Sequence, residues 1–330
     1  MKESYDHQLI KAEDFILNND NFLIVSHVHP DGDTISSSLA MANILKFFKK
    51  EFIIVNQDFI PNKFSYLPMF DLIQNTVDIK TKYSVVITVD VADFTRSGNI
   101  EQLLADNYRL LNIDHHPTND YFGDFNLVLP EAAATAEIIF DLAAKMEVPF
   151  DEHLATCIYT GLLTDTGGFR YSNTTSKVMS IAAKMLDFKV NPGKIAEYTL
   201  ETLTHDFLLL LKKTLDNLEV IENGKITLSV LENQDLRKTA SNTDTEGLVN
   251  YTRNIEGVEV GILLKEIRKN EIKVSLRSKD YIDVGAIAKS FKGGGHSRAA
   301  GFTYIGNLKE LKSELLAKIK ESQGWNNIES

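Results

Sequence analysis

The sequence has a single cysteine and no long apolar run. Cys157 therefore cannot form an intramolecular disulfide, and its apolar helical surroundings indicate a core residue rather than a catalytic thiol. The longest apolar candidate, residues 207–211, is too short to span a membrane. The first residues lack the basic and then apolar layout of a signal peptide. We therefore expect a cytoplasmic protein with no membrane partner.

Positive charge is also scarce, because 35 lysine and arginine residues face 46 aspartate and glutamate residues, for a net charge of −11. Binding of long nucleic acid depends on basic side chains, so this balance argues against long nucleic acid as a partner. A small phosphate ester is still allowed, because bound divalent ions would reverse the local field. With 330 residues and 43% apolar composition, the chain has the material for two cored domains.

Ionisable side chains follow the apolar runs of the first half of the chain. Runs at 22–26, 52–55, 84–89 and 110–113 alternate with helical segments at 34–49 and 99–105. This alternation predicts the α/β class, with a parallel, doubly wound sheet. His27, Asp90 and Asp114 each follow or end a strand, so we expect them at one edge of the sheet.

From residue 132 onward the pattern is helical, and it then becomes mixed. Helices are predicted at 132–146, 151–163, 174–186, 192–200 and 204–218, and the turn at 222–224 is interpreted as part of a linker. A smaller α/β domain with a mixed sheet is expected to follow. Its predicted elements are a strand at 225–231, a helix at 245–255, a hairpin of 258–267 with 271–278, and helices at 284–291 and 308–322. The predicted domains are 1–202, a helical linker at 203–224, and 225–330.

Six side chains could bind metal, and three of them follow the first strand with the spacing His-x-x-x-Asp-x-Asp. Mixed aspartate and histidine ligands without cysteine suit manganese, magnesium or iron better than a structural zinc site. If one carboxylate bridges, six ligands are enough for two ions, which can activate water and clamp a phosphoryl group. Phosphoester hydrolysis is the reaction class that follows. The six residues are His27, Asp31, Asp33, Asp90, His115 and Asp165.

Ordinary structural roles remain open for these residues. Asp33 could be only a helix cap. The Asp114-His115-His116 run could be a solvated loop. His29 precedes a proline and is expected to be exposed.

A glycine run forms a second candidate site near the C-terminus. Residues 293–295 are all glycine and precede His296, so their backbone N–H groups could form a concave anion-binding nest. Arg277 and Ser278 end the neighbouring predicted strand and could close a phosphate site. The alternative is a flexible turn.

Taken together, these motifs resemble those of the DHH phosphoesterases. The match covers residues 26–33, Val89-Asp90, the Asp114-His115-His116 run and the Asp165 segment, and residues 293–296 resemble the signature of the DHH-associated C-terminal domain. The resemblance spans nearly the whole chain. Family members commonly have a glycine early in the first helix, where this chain has Ile35-Ser36-Ser37-Ser38, a difference that bears on substrate preference more than on metal binding.

The resemblance implies a role for each site residue. His27 and Asp31 would bind one manganese ion, and Asp33, His115 and Asp165 would bind the other, with Asp90 as the bridge. Asp114 would orient a ligand, and His116 would face the scissile phosphate. In the C-terminal domain, the far end of a short substrate would be bound by Arg277, Gly294, Gly295 and His296.

The resemblance also implies manganese-dependent hydrolysis of very short oligonucleotides and pApA to 5′-mononucleotides, and of pAp to AMP. It is consistent with a homodimer. Cyclic-di-AMP hydrolysis and a non-catalytic nucleotide sensor are the alternatives. A manganese pyrophosphatase would be expected to have a basic C-terminal signature, and a processive exonuclease would need a basic channel.

Overall fold

The structure, a computed structural model, describes residues 3–239, 245, 247–322 and 325. The chain divides into two compact units, Met1–Thr202 and Leu203–Ser330. Each unit has a six-stranded sheet and a buried apolar core of its own. None of the helices in these described ranges is long and apolar enough to cross a membrane.

The sheet of the first unit is parallel throughout, with the strand order β3-β2-β1-β4-β5-β6. Its strands are β1 (Phe22–Ser26), β2 (Phe52–Asn56), β3 (Ile73–Asn75), β4 (Tyr83–Val89), β5 (Leu104–Asp114) and β6 (Phe125–Val128). Every residue of β1 is buried, because alternate side chains enter two different cores. Phe22 and Ile24 join the larger core, and Leu23 and Val25 join a smaller core on the opposite face. Burial on both faces explains why this strand reads as a continuous apolar run.

Helices cover the larger core of this unit. They are α1 (Tyr5–Leu17), α2 (Gly32–Phe47), α3 (Thr135–Lys145), α4 (Glu152–Asp165), α5 (Ser176–Leu186) and α6 (Pro192–Ala196), which continues into the π-helical segment Glu197–Glu201. Helix α4 packs against both α2 and α3.

The α/β prediction is confirmed, but one predicted helix is wrong. In place of a helix at 99–105, the chain forms the short 3-10 turn Glu101–Leu103 and then enters β5 at Leu104. The apolar run there is too short for its periodicity to distinguish a helix from a strand entry. The elements α1, β3 and β6 were not predicted.

The second unit has a mixed sheet, as predicted, with the order β11-β12-β10-β9-β8-β7. Strands β8 and β9 are parallel, and the other neighbours are antiparallel. The strands are β7 (Glu219–Ile221), β8 (Ile226–Leu231), β9 (Val260–Arg268), β10 (Glu271–Ser278), β11 (Gly294–His296) and β12 (Ala299–Ile305). The helices are α7 (His205–Asp216), α8 (Asn233–Leu236), α9 (Leu248–Arg253), α10 (Val284–Ser290) and α11 (Leu308–Glu321). The predicted hairpin is confirmed as the antiparallel pair of β9 and β10. The helix predicted at 245–255 begins at Leu248, and residue 246 of that range lies outside the described residues.

Candidate metal centre

The carboxyl ends of three parallel strands meet at one edge of the first sheet, where an open α/β fold places its sites. His27 follows β1, Asp90 follows β4, and β5 ends at Asp114. Helix α2 begins beside them, and helix α4 ends at Asp165. Six predicted ligands therefore converge from strand ends and from two helix ends.

The first group of ligand atoms comes from His27, Asp31 and Asp90, and these atoms lie within 4.8 Å of one another. Thr34 lies between them. Its Oγ1 is 2.6 Å from His27 Nε2, 2.9 Å from Asp31 Oδ1 and 2.7 Å from Asp90 Oδ2. Thr34 was missed in the sequence reasoning, although it directly follows Asp33 in the first motif.

The second group comes from Asp33, His115 and Asp165, again within 4.8 Å of one another. His115 Nε2 lies 3.2 Å from Asp165 Oδ2 and 4.0 Å from Asp33 Oδ2. The side chain of Asp165 is 22% exposed, so solvent reaches this group from the Asp165 side.

Asp90 lies between the two groups, and its carboxylate oxygens face different partners. Oδ2 is 3.4 Å from His27 Nε2, and Oδ1 is 3.7 Å from His115 Nε2. The residue adopts the left-handed region with a φ of 63°, and its N–H donates to the Ile113 carbonyl at 2.9 Å. A non-glycine residue in this region is uncommon and is often found at functional sites. One buried carboxylate is thus positioned to contact both groups.

Asp33 lies in the first turn of α2, but its carboxylate caps a different helix, α3. The N-cap of α2 is Asp31, which accepts from the Thr34 N–H at 3.0 Å. The Asp33 carboxylate instead accepts from the backbone N–H groups of Thr135 (2.6 Å) and Ala136 (3.1 Å) at the start of α3. It also accepts from Ser37 Oγ at 2.9 Å, so the Ile35-to-Ser38 segment supplies a donor to a predicted ligand.

His116 is held by a chain of buried polar groups. Its Nδ1 is 2.7 Å from Asp114 Oδ1, and the other carboxylate oxygen of Asp114 accepts from Asn119 Nδ2 at 2.6 Å. Asn119 also donates to the Val91 carbonyl at 3.1 Å. Asp114 therefore orients His116. Asn119 was also missed, although it lies only five residues beyond Asp114.

The electrostatics of the cluster favour a bound cation. Burial, and then the charge of Asp90, raise the pKa of Asp33 to about 7, and burial raises the pKa of Asp165 well above its usual range. Burial alone would lower the pKa of His115, but the charges of Asp165, Asp90 and Asp33 outweigh it and raise that pKa to about 10. Burial opposes ionisation of Asp90 as well, yet its contacts with His27 and His116 hold its pKa well below the usual range. The negative charge is thus balanced partly by retained protons, which a divalent ion would replace. Oxygen and imidazole donors without thiolate fit manganese, magnesium or iron.

The predicted C-terminal site residues lie in the sheet of the second unit. Arg277 in β10 and His296 in β11 are both register partners of Ala299, on opposite sides of β12. Gly294 and Gly295 belong to the short strand β11, so the expected concave nest is replaced by a strand. Gly295 has a φ of 133°, which favours glycine. Ser278 is 1% exposed and donates to the Ile282 carbonyl at 2.6 Å, so its contacts do not support the predicted role in substrate binding.

Comparisons with known proteins give family matches in both units. The DHH family, N-terminal domain, matches residues 21–162, and the DHHA1 domain matches residues 223–322. A Thermus thermophilus protein named bifunctional oligoribonuclease and PAP phosphatase NrnA is 33% identical over 301 residues, covering 90% of this chain and 89% of that protein. A Bacillus subtilis protein of the same name is 26% identical, covering 86% and 88% of the two chains. A crystal structure of an exopolyphosphatase-related protein from Bacteroides fragilis superimposes with a TM-score of 0.87 at 25% identity, covering 100% of both chains.

Proposed function

The chain belongs to the DHH family of phosphoesterases, and on this premise we propose that it hydrolyses very short phosphorylated nucleotides with two bound divalent ions. The observation that carries the proposal is the position of Asp90 between two groups of aspartate and histidine ligands, most of which are buried. The names of the Thermus and Bacillus relatives support short oligonucleotides and pAp as the substrate class. The carboxylate oxygens and imidazole nitrogens fit manganese, magnesium or iron, and manganese is the proposed metal because the motifs resemble those of manganese-dependent DHH phosphoesterases.

Each ion has a proposed set of ligands. His27 and Asp31 would hold one ion, Asp33, His115 and Asp165 the other, and Asp90 would contact both. Two ions bound in this way supply a hydroxide nucleophile near neutral pH and neutralise charge on the phosphoryl oxygens. The protein fixes the ligand atoms. For example, the Ala132 carbonyl can only accept from His115 Nδ1, at 3.2 Å, so Nε2 is the ring atom that would bind metal.

His116 and Asp114 are the proposed catalytic pair beside the ions. Asp114 accepts from His116 Nδ1 and Asn119 holds Asp114, so the imidazole is presented in one orientation. His116 would bind the phosphoryl group and supply a proton to the leaving oxygen. Water would add to phosphorus and lose one proton to solvent, the ester P–O bond would break, and the leaving alkoxide would take the proton of His116, which then regains one from solvent.

Substrate length would be selected by the second domain. We assign catalysis to residues 1–202 and substrate binding to 225–330. The predicted linker at 203–224 forms α7 and β7 and belongs to the second unit. Arg277, Gly294, Gly295 and His296 would bind the end of the substrate that lies away from the scissile bond. The net charge of −11 fits a short substrate, because a long polyanion would need a basic groove.

The test is product release by metal-stripped protein resupplied with manganese. Substrates are pApA, pAp, a five-nucleotide RNA, cyclic-di-AMP, pyrophosphate and inorganic polyphosphate; the last is included because of the description of the Bacteroides structure. His115→Ala removes a proposed ligand, and His153→Ala, an exposed residue of α4, is the matched control.

AMP release from pApA or the pentamer that is lost in His115→Ala and kept in His153→Ala would support the proposal. Hydrolysis of pyrophosphate or polyphosphate alone would replace the substrate class. No hydrolysis by manganese-loaded protein would refute the enzyme assignment and favour a nucleotide sensor.

A further inference from the structure

The four residues 132–135, which we call the alanine turn, contact two residues of the second ligand group. The Ala132 carbonyl is 3.2 Å from His115 Nδ1, and the Thr135 N–H donates to Asp33 Oδ2 at 2.6 Å. Because the first contact selects the tautomer of His115 and the second orients the Asp33 carboxylate, the turn fixes both side chains at once.

The turn also reaches the third residue of that group, through Asn173. Asn173 Nδ2 is 3.2 Å from the Ala133 carbonyl and 3.2 Å from the Asp165 carbonyl. All three proposed ligands of the second ion are therefore connected to one short backbone segment. A small displacement of this segment would shift the whole ligand group.

Glu137 holds the alanine turn from inside helix α3. Its Oε2 accepts from the Ala133 N–H at 2.9 Å, and its side chain is buried, with only 4% of the residue exposed. The N-cap residue Ala134 has no side-chain acceptor, and Asp33 accepts from the first N–H groups of the helix instead. Glu137 reaches back in the manner of the N3 residue of a capping box, but to the residue before the cap. The other oxygen, Oε1, lies 3.0 Å from Lys177 Nζ, which balances the buried charge.

We propose that Glu137 is a positioning residue for the second metal ion. By fixing the Ala133 N–H it sets the Ala132 carbonyl that accepts from His115 Nδ1, so that Nε2 keeps its lone pair directed at the ion. This inference rests on the proposed metal-dependent function. It predicts a larger loss at the second ion than at the first, because the turn reaches neither His27 nor Asp31 and contacts the shared ligand Asp90 only through Thr135 Oγ1, at 2.9 Å.

Asp141 provides a matched control on the same helix. It lies one turn beyond Glu137 and shares the same counter-ion, with Lys177 Nζ at 2.7 Å and the Tyr5 hydroxyl at 3.0 Å. Removing Asp141 disturbs the same ion pair without removing the acceptor of the Ala133 N–H. The two positions therefore separate loss of stability from loss of ligand positioning.

The experiment is calorimetric titration of manganese into metal-stripped wild type, Glu137→Ala, Glu137→Asp, Glu137→Gln and Asp141→Ala, with thermal unfolding of each. Glu137→Ala, or Glu137→Asp if the alanine variant does not fold, should weaken the binding of one of two ions by about 10–100-fold and affect the other much less. Glu137→Gln should restore most of that affinity, because its amide oxygen can accept from the Ala133 N–H. Asp141→Ala should lower the unfolding temperature but leave both affinities near wild type.

Two results would overturn the role of Glu137: unchanged affinity in Glu137→Ala and Glu137→Asp, or an equal loss in Asp141→Ala. If wild type bound no manganese, the proposed function would fail, but the contact between the turn and His115 could still be tested. In nitrogen NMR of metal-stripped protein, the Nδ1–H of His115 should exchange with water faster in Glu137→Ala than in wild type and Asp141→Ala. An unchanged exchange rate in Glu137→Ala would show that Glu137 does not hold this contact.

Discussion

Gly161 offers a direct test of how tightly Asp33 is held. Helix α4 packs on α2 at this glycine, and a Cβ added there would lie 2.6 Å from Asp33 Oδ1 and 2.5 Å from the Ala136 Cβ. Real Cβ atoms essentially never approach other atoms more closely than 3.0 Å. In Gly161→Ala, either the Asp33 carboxylate moves or the helices separate.

The magnitude follows from the bonds that Oδ1 makes. It accepts from Ser37 Oγ at 2.9 Å and from the Ala136 N–H at 3.1 Å. Hydrogen bonds to a charged group contribute about 1.5–3 kcal/mol each, so losing both costs about 3–6 kcal/mol. Alanine recovers up to about 1 kcal/mol over glycine within a helix. We therefore expect the free energy of unfolding to fall by about 2–5 kcal/mol, and the manganese affinity of one ion to fall by about 10–100-fold.

Gly193→Ala in α6 is the control, because its added Cβ would have only the Asn191 Oδ1 at 3.6 Å nearby, an ordinary contact. Both variants would be compared with wild type by urea unfolding and by manganese titration. The reasoning would be refuted if Gly161→Ala bound both ions with wild-type affinity and its unfolding free energy stayed within about 0.5 kcal/mol of wild type, the range of a neutral surface change.

Four further predictions concern protons, the catalytic pair and the second unit. At pH 7, manganese binding should release more than one proton, because His115 with a pKa of about 10 and part of Asp33 with a pKa of about 7 must lose their protons to bind the metal. Titration in two buffers of different ionisation enthalpy counts the released protons, and zero release contradicts the assignment. Both folded pKa values lie above the ordinary values, which are 3.8 for Asp33 and 6.5 for His115. Without metal, these two groups should therefore make the unfolding free energy fall as pH rises from 4 towards 10, and a rise in urea midpoints would contradict this. Asn119→Ala should leave the buried Asp114 Oδ2 without its amide donor at 2.6 Å, which should lower the unfolding free energy by about 1–3 kcal/mol. It should also lower kcat while manganese affinity is kept, and an unchanged kcat would argue against the proposed role of His116. Gly261→Ala would place a Cβ 2.5 Å from the Arg253 backbone nitrogen, so urea unfolding should show the second unit destabilised by about 1–3 kcal/mol. Manganese affinity should stay at the wild-type value, and weakened binding would contradict the assignment of the metal ligands to the first unit.

Several features of the site could be predicted from the sequence because their signals are local. The apolar run at 22–26 followed by His27 indicates a buried strand that ends at a site, and the same holds for Asp90 and Asp114. The order of these motifs predicted the family, which the matches at 21–162 and 223–322 confirm. The structure brings the six side chains into the two groups that the resemblance implied, although their binding of metal stays a prediction.

Errors arose where neighbours in space decide the outcome. The segment at 99–105 has too few apolar residues to define a period, and pairing with β4 makes its second part the start of a strand. The glycines at 294 and 295 are typical of a turn by composition, but pairing with β12 makes them a strand.

The sequence by itself determined that β1, β4 and β5 end at ionisable residues, because an apolar run and the residue that follows it are near neighbours in the chain. Only the tertiary structure decided what holds those residues in place. Asp33 caps a helix that begins 102 residues later, Glu137 fixes a turn beneath His115, and Gly161 allows α4 to approach the Asp33 carboxylate. The first two contacts pair a carboxylate with a backbone N–H, and the third depends on the missing side chain at Gly161. A backbone N–H and a missing side chain give no signal in the sequence that names their partner, so only the folded chain reveals these contacts.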